Sequence, residues 1–190
     1  MGMDNQTHLL DCALALFSQN SYAAVGVQEV VEAANLTKPT LYHYFGSKRG
    51  LLDALLAREA EPLLAALTKA AVYQGDLVQT LENIARAYFN IAQKAPDFYR
   101  MLLSMQYSPT ESETYRAIHP YTRRQQTVLE DVFCQAGTDH GNMNGRHKRY
   151  AAGLWGAINA AVGLYFHGEW NLDSQVVYQV VHQFMHGIFS

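Results

Sequence analysis

The chain has 190 residues, 49% of them hydrophobic and 16% charged, with a formal net charge of −3. That much apolar material supports a packed core and excludes wholesale disorder. The slight negative balance excludes a polybasic tail and bulk attraction to nucleic acid, so any nucleic-acid contact must come from a few well-placed groups.

Cys12 and Cys134 lie far apart among small and apolar residues, with no CxxC spacing. This predicts two buried, inert thiols and no disulfide framework, as in a reducing cytoplasm. The opening Met1-Gly2-Met3-Asp4-Asn5-Gln6 lacks the basic and apolar regions of a secretory signal. The longest apolar stretch, about 151–166, is interrupted by Gly153, Gly156, Asn159 and Gly163, too short and broken for a membrane span. A cytoplasmic location with no membrane partner is expected.

Strand patterns are nearly absent and helical spacing recurs throughout, which predicts an all-α fold of about nine helices. Leu10, Ala13, Leu14 and Phe17 mark the first helix. Val27, Val30, Val31 and Ala34 mark a second, with Glu29 and Glu32 outward. After a turn at Asn35-Leu36-Thr37, a short helix runs from about 38 to 45 and breaks at Gly46. Ser47 is a fitting N-cap for a fourth helix carrying Leu51, Leu52, Leu55 and Leu56, with a kink or end expected near Pro62. Leu77, Leu81, Ile84, Tyr88 and Ile91 form the next stripe, followed by segments at 96–105 and 111–136, the latter disturbed by Pro120. Residues 138–145, rich in Gly and Asn, read as a mobile loop. Two apolar helices, about 146–167 and 174–188, close the chain.

The segment 27–48 carries the chemistry. Asn tolerates the left-handed backbone that a tight turn between helices needs, so Asn35 suits the turn. Thr37 can cap the next helix through a backbone N–H, and Pro39 falls in its first turn, where a missing N–H costs little. Leu41 and Phe45 form the inward stripe of that helix. The remaining surface offers Lys38, Pro39, Thr40, Tyr42, His43 and Tyr44, with no acid. Such a face suits a phosphate-lined major groove, and it equally suits a solvated face on a helix pair that never meets DNA. Lys48 stands in the first turn of the following helix, where an ammonium beside free N–H groups makes an anion site.

The run Thr37-Lys38-Pro39-Thr40-Leu41-Tyr42-His43-Tyr44-Phe45-Gly46-Ser47-Lys48-Arg49-Gly50-Leu51-Leu52 resembles the signature of the tetracycline-repressor (TetR) family, and Ala13 to Phe17 followed by Tyr22 resembles that family's first helix. The resemblance covers about residues 7–56. It implies a three-helix helix-turn-helix DNA-binding domain over 1–46 and a helical bundle for ligand binding and dimerisation over 47–190. It implies a homodimer on palindromic double-stranded DNA, and it favours repression in a bacterial cytoplasm. By the same resemblance Lys38 would reach base edges, Pro39 and Thr40 would approach bases or the adjacent backbone, and Thr37 joins the DNA-binding set. Tyr42 and Lys48 would grip phosphates, and His43 would meet a phosphate or a base edge. Tyr44 stays open between the DNA face and the interior. Three features differ from the family's usual pattern: Asn35 replaces a turn glycine, Lys38 is followed by Pro39, and no basic residue precedes the first helix.

In the closing helices, Gly153, Gly156, Ala160 and Gly163 lie near one face, while Val177, Val180, Val181, Phe184 and Ile188 make a stripe. These residues fit either a core within one chain or a four-helix bundle across a twofold axis. The resemblance implies the bundle, with Gly153, Gly156, Ala160, Gly163, Val177, Val181 and Phe184 as the dimer interface. Tyr88, Met105, Tyr107, His119, Trp155 and Asn159 are candidate contacts for a small apolar or aromatic effector. His182 and His186 stand at i, i+4, a chelating spacing without a third ligand nearby, and a solvated or interface face explains them better. No cofactor or metal is expected. No GxSxG, HExxH, GxGxxG or P-loop occurs, so an enzyme reading has no support in a motif. A helical sensor module without specific DNA binding is the alternative, and the acid-free face of the short helix separates the two.

Overall fold

The computed structural model describes residues 4–143 and 145–187. Among them are nine α-helices, one 3₁₀ turn and no strand. The helices are α1 (Asn5–Asn20), α2 (Val27–Ala33), α3 (Lys38–Phe45), α4 (Lys48–Ala70), α5 (Leu77–Lys94), α6 (Pro96–Gln106), α7 (Glu113–Asp139), α8 (His147–Phe166) and α9 (Ser174–His186). No described helix is long and apolar enough to cross a membrane.

The helix starts are written locally. Ser47, Asp76, Ser112 and Asp173 each accept a backbone N–H from the first turn of α4, α5, α7 and α9, at 2.9–3.0 Å. Each bond satisfies a donor that the helix itself leaves free. Two helices end in the same way. Asn35 follows α2 with φ 52, and its neighbour Leu36 donates back to the Val31 carbonyl at 2.8 Å. Gly168 follows α8 with φ 76, and Glu169 donates to Leu164 at 3.0 Å. In both, one left-handed residue closes a six-residue ring over the last carbonyls.

The chain forms two compact units. The first contains the residues up to Pro62 together with Ala95–Thr122; the second contains Leu63–Lys94 and the residues from Arg123 onward. The sequence boundary at Gly46 marks the end of α3, and the first compact unit reaches beyond it. In that unit α1 packs on α2, α3 and α6. Leu9, Ala13, Phe17, Val30, Leu41, Leu51, Leu52, Leu55, Phe98 and Met101 are fully buried there. In the second unit α5, α8 and α9 pack on one another around Leu81, Ile84, Tyr88, Leu154, Ile158 and Val181.

Several expectations change. α4 does not end at Pro62 but continues to Ala70, whereas α7 runs through Pro120 as the spacing predicts and extends to Asp139. Both prolines are exposed, so each helix keeps its apolar side packed while one backbone bond is lost. The expected loop at 138–145 is partly helical at its start, where α7 runs to Asp139, and it contains the 3₁₀ turn Gly141–Met143. Cys134 is exposed and Cys12 half-buried, not buried as a pair. Cys134 follows buried Phe133, and one helical step carries it about 100° away from the core. Ile188, placed by its spacing on the α9 stripe, lies outside the described residues.

α3 and α4 approach backbone to backbone at Gly50. A Cβ on Gly50 would fall inside the van der Waals envelope of the Phe45 carbonyl oxygen. Gly50→Ala should therefore destabilise the protein by about 1–3 kcal/mol. Thermal unfolding checks this, and an unchanged Tm would show that α3 and α4 can part without cost.

Candidate nucleic-acid interface

α3 is eight residues long, too short to be stable alone, so its surroundings must fix it. Its entry is set by left-handed Asn35 and by Pro39 in the first turn. Thr37 occupies the N-cap position, but its hydroxyl does not cap the backbone. It pairs instead with the Thr40 hydroxyl at 2.9 Å, so the two side chains hold each other over the first turn. Leu41 is fully buried and Phe45 half-buried, which pins the inner face. At the exit Gly46 takes φ 72 and donates to the Tyr42 carbonyl at 2.9 Å.

The outer face carries Lys38, Pro39, Tyr42 and His43, all exposed, with Thr40 partly covered. No carboxylate lies on α3. Tyr42 is 47% exposed and Tyr44 37%, so Tyr44 belongs more to the surface than to the interior. The His43 and Tyr44 rings meet edge to face at 5.3 Å, which limits how far either can swing.

Lys48 behaves differently from a free surface cation. Its ammonium donates to the Tyr22 carbonyl at 2.6 Å and lies 4.2 Å from the centroid of the Tyr22 ring. Burial lowers its pKa. Tyr22 is buried against Phe17, ring centroids 5.2 Å apart. Burial, with the Glu113 carboxylate next, pushes the Tyr22 phenol up to about 12. Lys48 thus ties the first turn of α4 to the loop between α1 and α2. Arg49 is engaged with Asp53 at 2.8 Å. Sequence spacing placed Lys48 correctly at the helix start but gave no sign of Tyr22 as its partner.

The other candidate residues separate. Met105, Tyr107 and His119 fall in the first unit: Met105 is core, Tyr107 is 75% exposed, and His119 is exposed and stacked on Tyr115 at 5.0 Å. Tyr88, Trp155 and Asn159 fall in the second unit. There the fully buried Tyr88 phenol donates to Gln125 Oε1 at 3.1 Å and accepts from Trp155. Burial raises the Tyr88 pKa. Gln125 is 1% exposed, and its Nε2 has no protein partner. Sequence reading missed Gln125, which sits in a polar run, Thr122 to Thr127, that looks solvated. Around α8, Gly156 and Gly163 face open space and Ala160 is exposed, whereas Gly153, itself exposed, lies close beside the Phe184 ring. Val177 and Val181 are buried in the unit's own core and Phe184 is half-buried. No group of three or more metal-binding side chains occurs among the described residues.

Residues 9–55 match the profile of the bacterial regulatory proteins, tetR family. The transcriptional activator FasR of Mycolicibacterium smegmatis is 27% identical over 151 residues, 80% of this chain and 67% of FasR. The transcriptional repressor KstR of the same organism is 34% identical over 93 residues, 49% of this chain and about half, 46%, of KstR. The structure of FadR from Bacillus subtilis in complex with stearoyl-CoA aligns with a TM-score of 0.78 over 96% of this chain and 98% of that one. At 16% identity this likeness speaks for the fold alone.

Removing the Lys48 ammonium should loosen the loop at Tyr22. Lys48→Met is expected to cost about 1 kcal/mol, roughly 2–4 °C in Tm, after allowance for partial exposure. Lys38→Ala should leave Tm unchanged. Equal Tm values for both variants would remove Lys48 as a brace.

Proposed function

We infer that this chain, which belongs to the tetR family of bacterial regulatory proteins, is a transcription regulator that reads double-stranded DNA with α3 and answers to a small molecule held in its second unit. The observation that carries this reading is the exposed, acid-free face of a helix whose ends and inner side are all fixed. A rigid short helix of donors and aromatics fits the major groove, where base edges offer acceptors and the walls carry phosphates. In this reading Lys38 reaches base edges, with Pro39 and Thr40 close to the bases. Thr37 and Tyr42 hold phosphates and His43 meets a phosphate or base edge. Lys48 spends one N–H on Tyr22 and keeps two, so it can meet a phosphate while bracing the loop.

Two copies on a palindromic operator place two recognition helices about one DNA turn, roughly 34 Å, apart. The proposed partner face is the open side of α8 at Gly156, Ala160 and Gly163, where a second helix can approach closely. It is narrower than the stripe in the sequence, because Val177 and Val181 are already spent inside the chain. The proposed effector is a small apolar or aromatic molecule carrying an acceptor oxygen. The buried Gln125 Nε2 offers a donor that such an oxygen satisfies. The ligand releases DNA only by binding one state more tightly than the other, and repression relieved by the ligand is the proposed direction.

A mobility shift on the DNA upstream of its own gene should give a specific complex of two chains per palindromic site. Tyr42→Ala should weaken that complex about tenfold, about 1.4 kcal/mol, at unchanged Tm. Undiminished affinity would take α3 out of the interface. Gly156→Leu should lower the dimer fraction in sedimentation. A dimer as stable as the wild type would move the partner surface away from α8.

A further inference from the structure

One cleft of the second unit takes no part in the reading above. It lies between the last turns of α4 and one face of α5, and its volume is about 440 Å³, within the range of small-molecule sites. Helical register builds it. On α5, Arg86, Asn90 and Lys94 follow at i, i+4, i+8, and beside them Asn83, Ala87 and Ile91 follow the same spacing. On α4, Ala66 and Ala70 share a face, with Lys69 at its rim. The alanines do not project, so the floor is flat and apolar, while the rim is cationic.

Lys and Arg make up 14 of the 190 residues, but three of the nine that line this cleft, and no carboxylate is among the nine. Of the three cations only Arg86 has an anionic partner among the described residues. Glu82 takes its Nη2 at 2.8 Å and leaves the rest of the guanidinium fork free. Lys69 and Lys94 also stand in the last turns of α4 and α5. A helix C-terminus carries only about half a negative charge, so each ammonium keeps a net positive field.

We propose that this cleft binds a phosphorylated small molecule of nucleotide size. Its phosphates meet Lys69, Arg86 and Lys94, and its apolar ring lies on the alanine floor. Three cations around one cleft exceed what a single carboxylate needs and match a multiply charged phosphate. The guanidinium fork adds the paired geometry that phosphate oxygens accept. The Asn83 and Asn90 amides supply the donors and acceptors that orient a polar ring edge.

The site is tested on the full chain by calorimetric titration with ADP, using adenosine as the phosphate-free control. ADP should bind at least tenfold more tightly than adenosine, and raising the salt should weaken it. The double variant Lys69→Gln/Lys94→Gln should lose at least tenfold in ADP affinity, with circular dichroism confirming that it folds. Lys148→Gln, which removes an exposed charge of α8 outside the cleft, should bind ADP like the wild type. The proposal is overturned if ADP fails to bind, if adenosine binds equally well, or if the folded double variant keeps wild-type affinity. DNA binding by α3 uses none of these residues, so either result leaves that reading standing.

Discussion

The backbone of Gly50 lies against the carbonyl of Phe45, and the presentation of α3 depends on that approach. An eight-residue helix has too few internal bonds to hold its own direction. Here its exit is fixed by a residue without a side chain on the next helix and by the left-handed Gly46 between them. Its entry is fixed by Asn35 and Pro39, and its inner side by Leu41. Only with all of these in place do Lys38, Tyr42 and His43 share one outward face. Lys48 extends the same logic to the loop at Tyr22, exchanging part of its hydration for a carbonyl and an aromatic face.

The modest negative charge of the chain conceals how its carboxylates are used. Glu29 accepts the Gly26 N–H at 2.7 Å, Asp53 holds Arg49, and Asp11 holds Arg58 at 2.7 Å. Asp76 and Asp173 cap helices. Exposed pairs of this kind add little stability each. Their larger effect is spatial: with the acids committed to caps and pairs, no carboxylate lies on α3, and Glu82, beside the α4–α5 cleft, is paired with Arg86. A count over the first fifty residues finds three cations against four carboxylates, yet the face that matters has none of the four.

Features set by neighbours in the chain were legible in the sequence. Ser47 as a cap, Asn35 in the turn and the apolar stripes of α5 and α9 all follow from local spacing, and so does the helical fold. What depends on residues distant in sequence was not. Nothing near Lys48 names Tyr22, 26 positions earlier, as its partner. Gln125 sits among polar neighbours, yet its helix turns it into the core beside Tyr88. Val177 and Val181 have the spacing of an interface stripe, but spacing does not distinguish a partner's surface from the chain's own α5. The end allowed for at Pro62 does not occur for a related reason: a lost backbone bond is a local cost that packing along the rest of the helix overrides.

Apart from Pro39 and the Thr37–Thr40 pair at its first turn, the residues that hold α3 and the residues it displays are different residues. Asn35, Leu41, Gly46 and Gly50 do the holding, while Lys38, Tyr42 and His43 face outward and support nothing beneath them. Over generations the outward set is therefore free to drift. A duplicated copy of such a gene could acquire a new DNA preference through a few surface changes, without passing through an unfolded intermediate sequence. Selection on recognition and selection on foldability act mostly on separate letters of the same short helix.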